Sequence, residues 1–293
     1  MSEVPQQQIP GVYHRRIGDI TVTAISDGFL DGSMQVLRNI TVEEATGILS
    51  AAFRPARRTS VNAFLIHSAG RLALVDTGSG TYLLPTAGKV LANIKAAGID
   101  PARIDTVILT HMHPDHSAGL ADRTTWKPFY PNAELVMHER EPVHWFDDAN
   151  MAKGTDREKR DFFQAGREQI TPYKDRWKLF KSGEEVFPGV TAIHRPGHTP
   201  GHTTYMVSSG KEQLLIWADT VHVPEVQTAR PEVCMDFDTD KTLAEDSRRK
   251  VFDMVATDRL LVTGMHLHFP GFAHLVRDGA GYRLIPEAWQ HGL

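Results

Sequence analysis

The sequence predicts an α/β fold whose strands end in metal-ligating loops, and three observations predict it. An apolar, β-branched run over residues 106–110 reads as a buried strand. It passes directly into His111-Met112-His113-Pro114-Asp115-His116, three imidazoles and a carboxylate within six residues. The arrangement recurs: His198 lies in a Gly/Pro-rich turn after an apolar run at 190–193, Asp219 closes the run at 214–217, and His266 follows the run at 260–263. Loops at the carboxyl ends of strands are where α/β folds place their chemistry.

Taken in order, residues 1–10 are polar, Gln-rich and expected as a disordered tail. Residues 20–25 alternate as a first strand. A helix is expected over 41–52, with Thr41 as N-cap and Glu44 at capping-box spacing. Strands are expected at 61–67 and at 72–75, the latter ending in Asp76-Thr77-Gly78. A helix over 86–97 is stopped by Gly98 and Pro101. After the 106–110 strand and its His-rich loop comes a strand at 134–137. A broken helical stretch over 139–170 carries Trp145, Phe146, Phe162 and Phe163. Further strands follow at 190–193, 203–207 and 213–217, then a helix over 241–256 and strands at 260–263 and 282–285. No repeat or composition shift divides the chain, so a single domain over 1–293 is expected, with residues 1–40 as an N-terminal arm.

Composition narrows the chemistry. Apolar residues make up 41% of the 293 and charged ones 23%, ordinary for a globular protein. The net charge of −4, without a basic block, speaks against a nucleic-acid partner. No apolar run approaches the ~20 residues that span a bilayer, and the N-terminus lacks a signal-peptide pattern, so neither a membrane partner nor export is expected and a cytoplasmic location is. The lone cysteine, Cys234, excludes a thiolate metal site. Any metal must therefore be held by imidazole and carboxylate. His111, His113, His116, His198 and His266 with Asp115 and Asp219 give seven candidate donors. One tetrahedral ion takes four ligands, or three and a water, so the set suits two ions sharing a carboxylate. Donors of this type accept zinc, iron, manganese or cobalt.

The pattern His111-x-His113-x-Asp115-His116, followed in order by His198, Asp219 and His266, resembles the metallo-β-lactamase superfamily of hydrolases. Residues Ser60-Val61-Asn62-Ala63, Pro196 to Thr204, Met265 to Gly271 and Gly281 to Pro286 are similar to its methyl parathion hydrolase branch, which also holds lactonases and aryl-esterases. The resemblance implies an αββα sandwich of two mixed sheets with helices outside. It implies His111, His113 and His198 on one metal, Asp115, His116 and His266 on the other, and Asp219 bridging. Asp76 looks like the family's structural aspartate. Two divalent ions, zinc foremost, would then activate a bridging hydroxide against a neutral lactone, aryl ester or phosphotriester. Asp115 is the candidate to pass a proton to the leaving group. The resemblance also implies a homodimer, for which the apolar residues of the arm offer a surface.

Trp145, Phe162 and Phe163 are expected to line a hydrophobic substrate pocket, and His222, three residues after Asp219, to reach substrate or orient that carboxylate. His202 reads as support for the ligands, and His266 is preferred over His268 as ligand. Three alternatives stand beside the hydrolase: a mononuclear redox enzyme of the same superfamily, a β-lactam-cleaving member, and a metal-stapled binding module without activity.

Overall fold

The computed structural model describes Val4, residues 8–54 and residues 56–293; most of the tail expected over 1–10 lies outside them. Fourteen strands of the described residues form two mixed sheets. The first runs in chain order as β1 (Val12–Ile17), β2 (Ile20–Gly32), β3 (Arg57–Ser68), β4 (Arg71–Val75), β5 (Thr106–Ile108), β6 (Glu134–His138) and β7 (Trp177–Phe180). β1 to β4 are antiparallel neighbours and β4 to β7 parallel ones. The second sheet holds β8 (Glu185–Phe187), β9 (Val190–His194), β10 (Thr203–Ser209), β11 (Glu212–Ile216), β12 (Leu261–Thr263), β13 (Ala273–Asp278) and β14 (Gly281–Pro286). Its only parallel pairing is β11 with β12.

The period-2 alternation of the strands sorts the layers. Phe64 and Ile66 of β3 and Ala73 and Val75 of β4 face the other sheet, where Val190, Tyr205, Val207 and Ile216 meet them. Ala63, Leu65, Leu72 and Leu74 face the opposite way, onto Val90 and Ile94 of the helix Val90–Ala96. The outer face of the second sheet packs Leu215, Trp217 and Val262 on Val251, Phe252 and Val255 of the helix Lys241–Asp258. The layers are helix, sheet, sheet, helix, as the resemblance implies.

Two expectations need correction. The segment expected as an arm is, from Val12 to Gly32, two strands of the first sheet, because Ile17, Ile20, Val22 and Ala24 form an apolar face buried between the sheets while Ile25 is buried on the helix side. The helix expected from residue 86 begins at Val90. Gly88 adopts φ +81°, and buried Asp27 captures the backbone N–H groups of Ser79, Gly88 and Val90 at 2.8, 3.0 and 3.0 Å, which holds residues 79–90 as a loop. The capping box at Thr41 and Glu44 forms as expected.

His138, at the end of β6, stacks on His194, at the end of β9, with ring centroids 4.1 Å apart. Burial first, then the neighbouring His194 and Arg140, push the His138 imidazole down to about 4. Unfolding returns it to its ordinary value near 6.5, so the unfolded chain takes up a proton below that pH and the folded chain does not. Stability is therefore expected to fall as pH drops from 6.5 towards 4. His138→Asn, which can still accept the Arg140 N–H, should flatten the slope in urea unfolding midpoints measured at pH 7 and pH 5.

Candidate metal centre

The His-rich loop leaves β5 at the edge between the sheets. Pro114 sits at the first position of a one-turn helix, Pro114–Ser117, where its missing N–H costs nothing. That turn sends Asp115 and His116 away from His111 and His113. The second sheet delivers His198 from the loop after β9, Asp219 just beyond β11, and His266 just beyond β12. Cross-sheet hydrogen bonds pin the edge: Thr203 N donates to Thr110 O at 3.1 Å, Tyr205 Oη to Leu109 O at 2.6 Å, and Asn62 Nδ2 to Leu267 O at 2.7 Å.

All seven candidate donors converge. His198 Nε2 lies 2.9 Å from His113 Nδ1 and 3.2 Å from His111 Nε2. Asp219 Oδ1 lies 3.3 Å from His116 Nε2, and Asp219 Oδ2 lies 3.2 Å from His266 Nε2 and 3.3 Å from His198 Nε2. Asp115 Oδ2 is 3.6 Å from both His116 Nε2 and His266 Nε2. Donors bound tetrahedrally at ~2.0–2.1 Å stand about 3.3 Å apart, so these separations fit two adjacent ions with Asp219 between them.

Proton bookkeeping strengthens the fit. His116 Nδ1 donates to Asp76 Oδ2 at 2.7 Å, His198 Nδ1 to Asp238 Oδ1 at 2.7 Å, and His266 Nδ1 to the Ser60 carbonyl at 2.8 Å. His111 Nδ1 is 3.0 Å from Thr110 Oγ1, whose hydroxyl is itself committed to Asp76 at 2.7 Å. Each outward bond fixes which nitrogen faces inward, so a metal ion that displaces an inward proton would meet an oriented lone pair. Inward nitrogens this close together in a dry site repel unless a proton or a metal cation lies between them. The buried atoms His116 Nε2 and Asp219 Oδ1 have no hydrogen-bond partner. Burial holds His111 and His113 well below the usual histidine range, so both stay neutral donors. At His198 burial opposes charge, but Asp219 and Asp238 outweigh it and hold the imidazole at about 9. Asp219 is itself drawn well below the carboxylate range, against its burial, by His116, His266, His222 and His111. The pocket attracts positive charge from every side.

Other histidines take distinct places. His202 Nδ1 donates to Arg195 O at 2.8 Å and its Nε2 accepts the Asp219 N–H at 3.0 Å, so it supports the loop of Asp219. Burial, then His198, depress it to about 3 and keep it neutral. His222 Nε2 reaches within 2.9 Å of Asp219 Oδ2, and its ring stacks on His266 at 5.2 Å. His268 turns away to Glu225 at 2.8 Å. Asp76, at φ +58°, lies beneath the site and touches the ligand set only through His116 and Thr110.

The aromatic trio is split. Phe162 stays part-exposed with its ring 4.6 Å from that of His113. Trp145 and Phe163 do not line the opening as expected. They are 2% and 5% exposed and pack on each other at 4.8 Å, because they fall on the buried face of the helical stretch. Phe237, which the sequence did not single out, lies with its ring 5.4 Å from that of His222 and meets Phe162 edge to face at 6.4 Å. Asp238 and Glu141 were likewise missed, since neither lies near a ligand in sequence.

A four-layer sandwich with seven imidazole and carboxylate donors gathered at its inter-sheet edge defines a class, proteins built around a metal centre. The model of the Metallo-beta-lactamase superfamily matches residues 56–264, and the chain belongs to that superfamily. It is 28% identical over 139 residues to the N-acyl homoserine lactonase AttM of Azorhizobium caulinodans, a match covering 45% of this chain and 47% of that one. The chain thus spans about half the length of that relative. It is 23% identical over 201 residues to an N-acyl homoserine lactonase of a Bacillus species, covering 68% and 67%. Among solved structures, the hydrolase AbOPH of the beta-lactamase superfamily superimposes with a TM-score of 0.90 at 32% identity, covering 97% of this chain and 100% of that one. The dizinc quorum-quenching lactonase AidC, solved with a product, gives the same TM-score and coverage at 25% identity.

Proposed function

We propose that the chain hydrolyses neutral lactones, N-acyl homoserine lactones and aryl lactones foremost, at a centre of two divalent ions, zinc being the first expectation. The observation that carries this reading is the convergence of five imidazoles and two carboxylates, four of the imidazoles (His111, His116, His198 and His266) being oriented by contacts of their outward nitrogens. His111, His113 and His198 would hold one ion, Asp115, His116 and His266 the other, with Asp219 shared. Bound there, such ions lower the pKa of a water towards neutrality and polarise an acyl oxygen. The rest falls to the chain. Phe162 and Phe237, in edge-to-face contact beside the ligands, give the site an apolar rim suited to an acyl or aryl group and not to an anion. His222 holds Asp219 from the side opposite His116. Asp115 keeps 19% side-chain exposure where Asp219 keeps 2%, so Asp115 is the carboxylate placed to hand a proton to a departing alkoxide.

The relatives named for lactone hydrolysis support the substrate class, and phosphotriesters are the secondary class under the same chemistry. The test is a panel: an N-acyl homoserine lactone, dihydrocoumarin, p-nitrophenyl acetate and methyl paraoxon, assayed with the metal-loaded protein. Lactone turnover exceeding that of the phosphotriester is expected. Turnover of methyl paraoxon alone, or of nothing in the panel, would overturn the reading.

A further inference from the structure

The carboxylate of Glu141 lies outside the ligand set, yet it is wholly buried and touches both ligand loops. It sits in the helix Arg140–Trp145, directly after β6 of the first sheet. Its Oε2 accepts the backbone N–H of Met112, the residue between His111 and His113, at 2.8 Å. The same oxygen accepts Trp145 Nε1 at 2.8 Å, and the Trp145 ring lies edge-on to His113 at 5.4 Å. Its Oε1 accepts Thr199 Oγ1 at 2.5 Å and Gly201 N at 2.9 Å, both in the loop that carries His198. A Cβ on Gly201 would stand 2.7 Å from Glu141 Cγ, so that approach has no room for a side chain.

We infer that Glu141 is the positioning residue of the first metal site, tying the loop of His111 and His113 on one sheet to the loop of His198 on the other. The three nitrogens of that site come from different halves of the sandwich, and their separations of 2.9 and 3.2 Å depend on how the two loops are held. All four partners of Glu141 donate. Three of them, Met112 N, Gly201 N and Trp145 Nε1, can only donate, and a carboxyl group with an acceptor oxygen toward each loop satisfies them together. A glutamine turned one way sets its NH2 against the Met112 and Trp145 N–H groups, and turned the other way against the Gly201 N–H, so either way one loop loses a bond. The inference rests on the two-metal reading but not on any substrate.

The experiment is a chelator-competition titration of zinc and cobalt into the full chain, with the cobalt visible spectrum and far-UV circular dichroism recorded alongside. In Glu141→Gln the fold is expected to persist while one of the two ions weakens by about 10–100-fold, the range seen when groups supporting a metal ligand are lost, with a changed cobalt spectrum for that ion. Trp145→Phe keeps the ring against His113 and removes one donor, and should weaken the same ion by a smaller factor. It decides the matter should Glu141→Gln fail to fold. Asp27→Asn, at an equally buried carboxylate that bonds no ligand loop, is the control for lost stability alone. Wild-type titration curves and spectra in the folded Glu141 and Trp145 variants, or a loss matched by Asp27→Asn, would overturn the inference. A protein without lactonase activity but with the expected metal shift would leave it standing and sink only the substrate reading.

Discussion

Asp219→Ala is expected to remove activity and metal together. Its carboxylate lies within 3.3 Å of ligand nitrogens from both halves of the site, Oδ1 at His116 and Oδ2 at His198 and His266. Alanine leaves those imidazoles facing one another with only Asp115 to balance the charge of two cations, and the donor shared between the two halves is gone. A loss of at least ~10³-fold in kcat/KM, about 4 kcal/mol of transition-state stabilisation, is expected, with fewer than two ions retained per chain. The fold should survive, because the layers are packed by Phe64, Ile66, Tyr205 and Ile216. Elemental analysis with far-UV circular dichroism separates loss of metal from loss of structure.

Asp76→Asn is expected to be nearly as damaging, although Asp76 reaches the ions only through other residues. Its side chain accepts the Thr110 N–H at 2.8 Å, the Thr110 hydroxyl at 2.7 Å and His116 Nδ1–H at 2.7 Å. Asparagine matches its size and tolerates its φ of +58°, so the backbone is not at issue. An amide can accept the Thr110 N–H, but its NH2 then meets His116 Nδ1–H donor to donor. His116 relieves that clash by moving its proton to Nε2, the atom that would face the second ion in the proposed centre. Metal affinity should fall about 10–100-fold, and stability by about 1–3 kcal/mol for the broken buried network. A metal titration and a urea melt of the same sample measure both.

Much of this site was legible in the sequence because its donors sit at strand ends, where a short apolar run followed by His or Asp is visible without structure. The αββα arrangement was legible only through resemblance, since strand-like runs do not reveal which sheet they join. Strand β1 escaped notice because Val12–Ile17 includes His14, Arg15 and Arg16, and β13 because Ala273–Asp278 buries only Ala273 and Leu275. Glu141, Phe237 and Asp238 were hidden for a different reason. Each acts across a tertiary contact from a helix or loop remote in sequence, and a buried carboxylate in a helix reads as an ordinary surface charge until its four donors are seen. Trp145 misled for the converse reason: an aromatic residue beside a metal site can pack behind a ligand as readily as in front of it.

The most direct measurement is the metal content of the purified chain together with N-acyl homoserine lactone turnover before and after chelation. Two divalent ions per chain, with turnover lost on chelation and restored by zinc, is the predicted result. One iron per chain with no hydrolysis, or full turnover after the ions are removed, would contradict a binuclear centre built on Asp219.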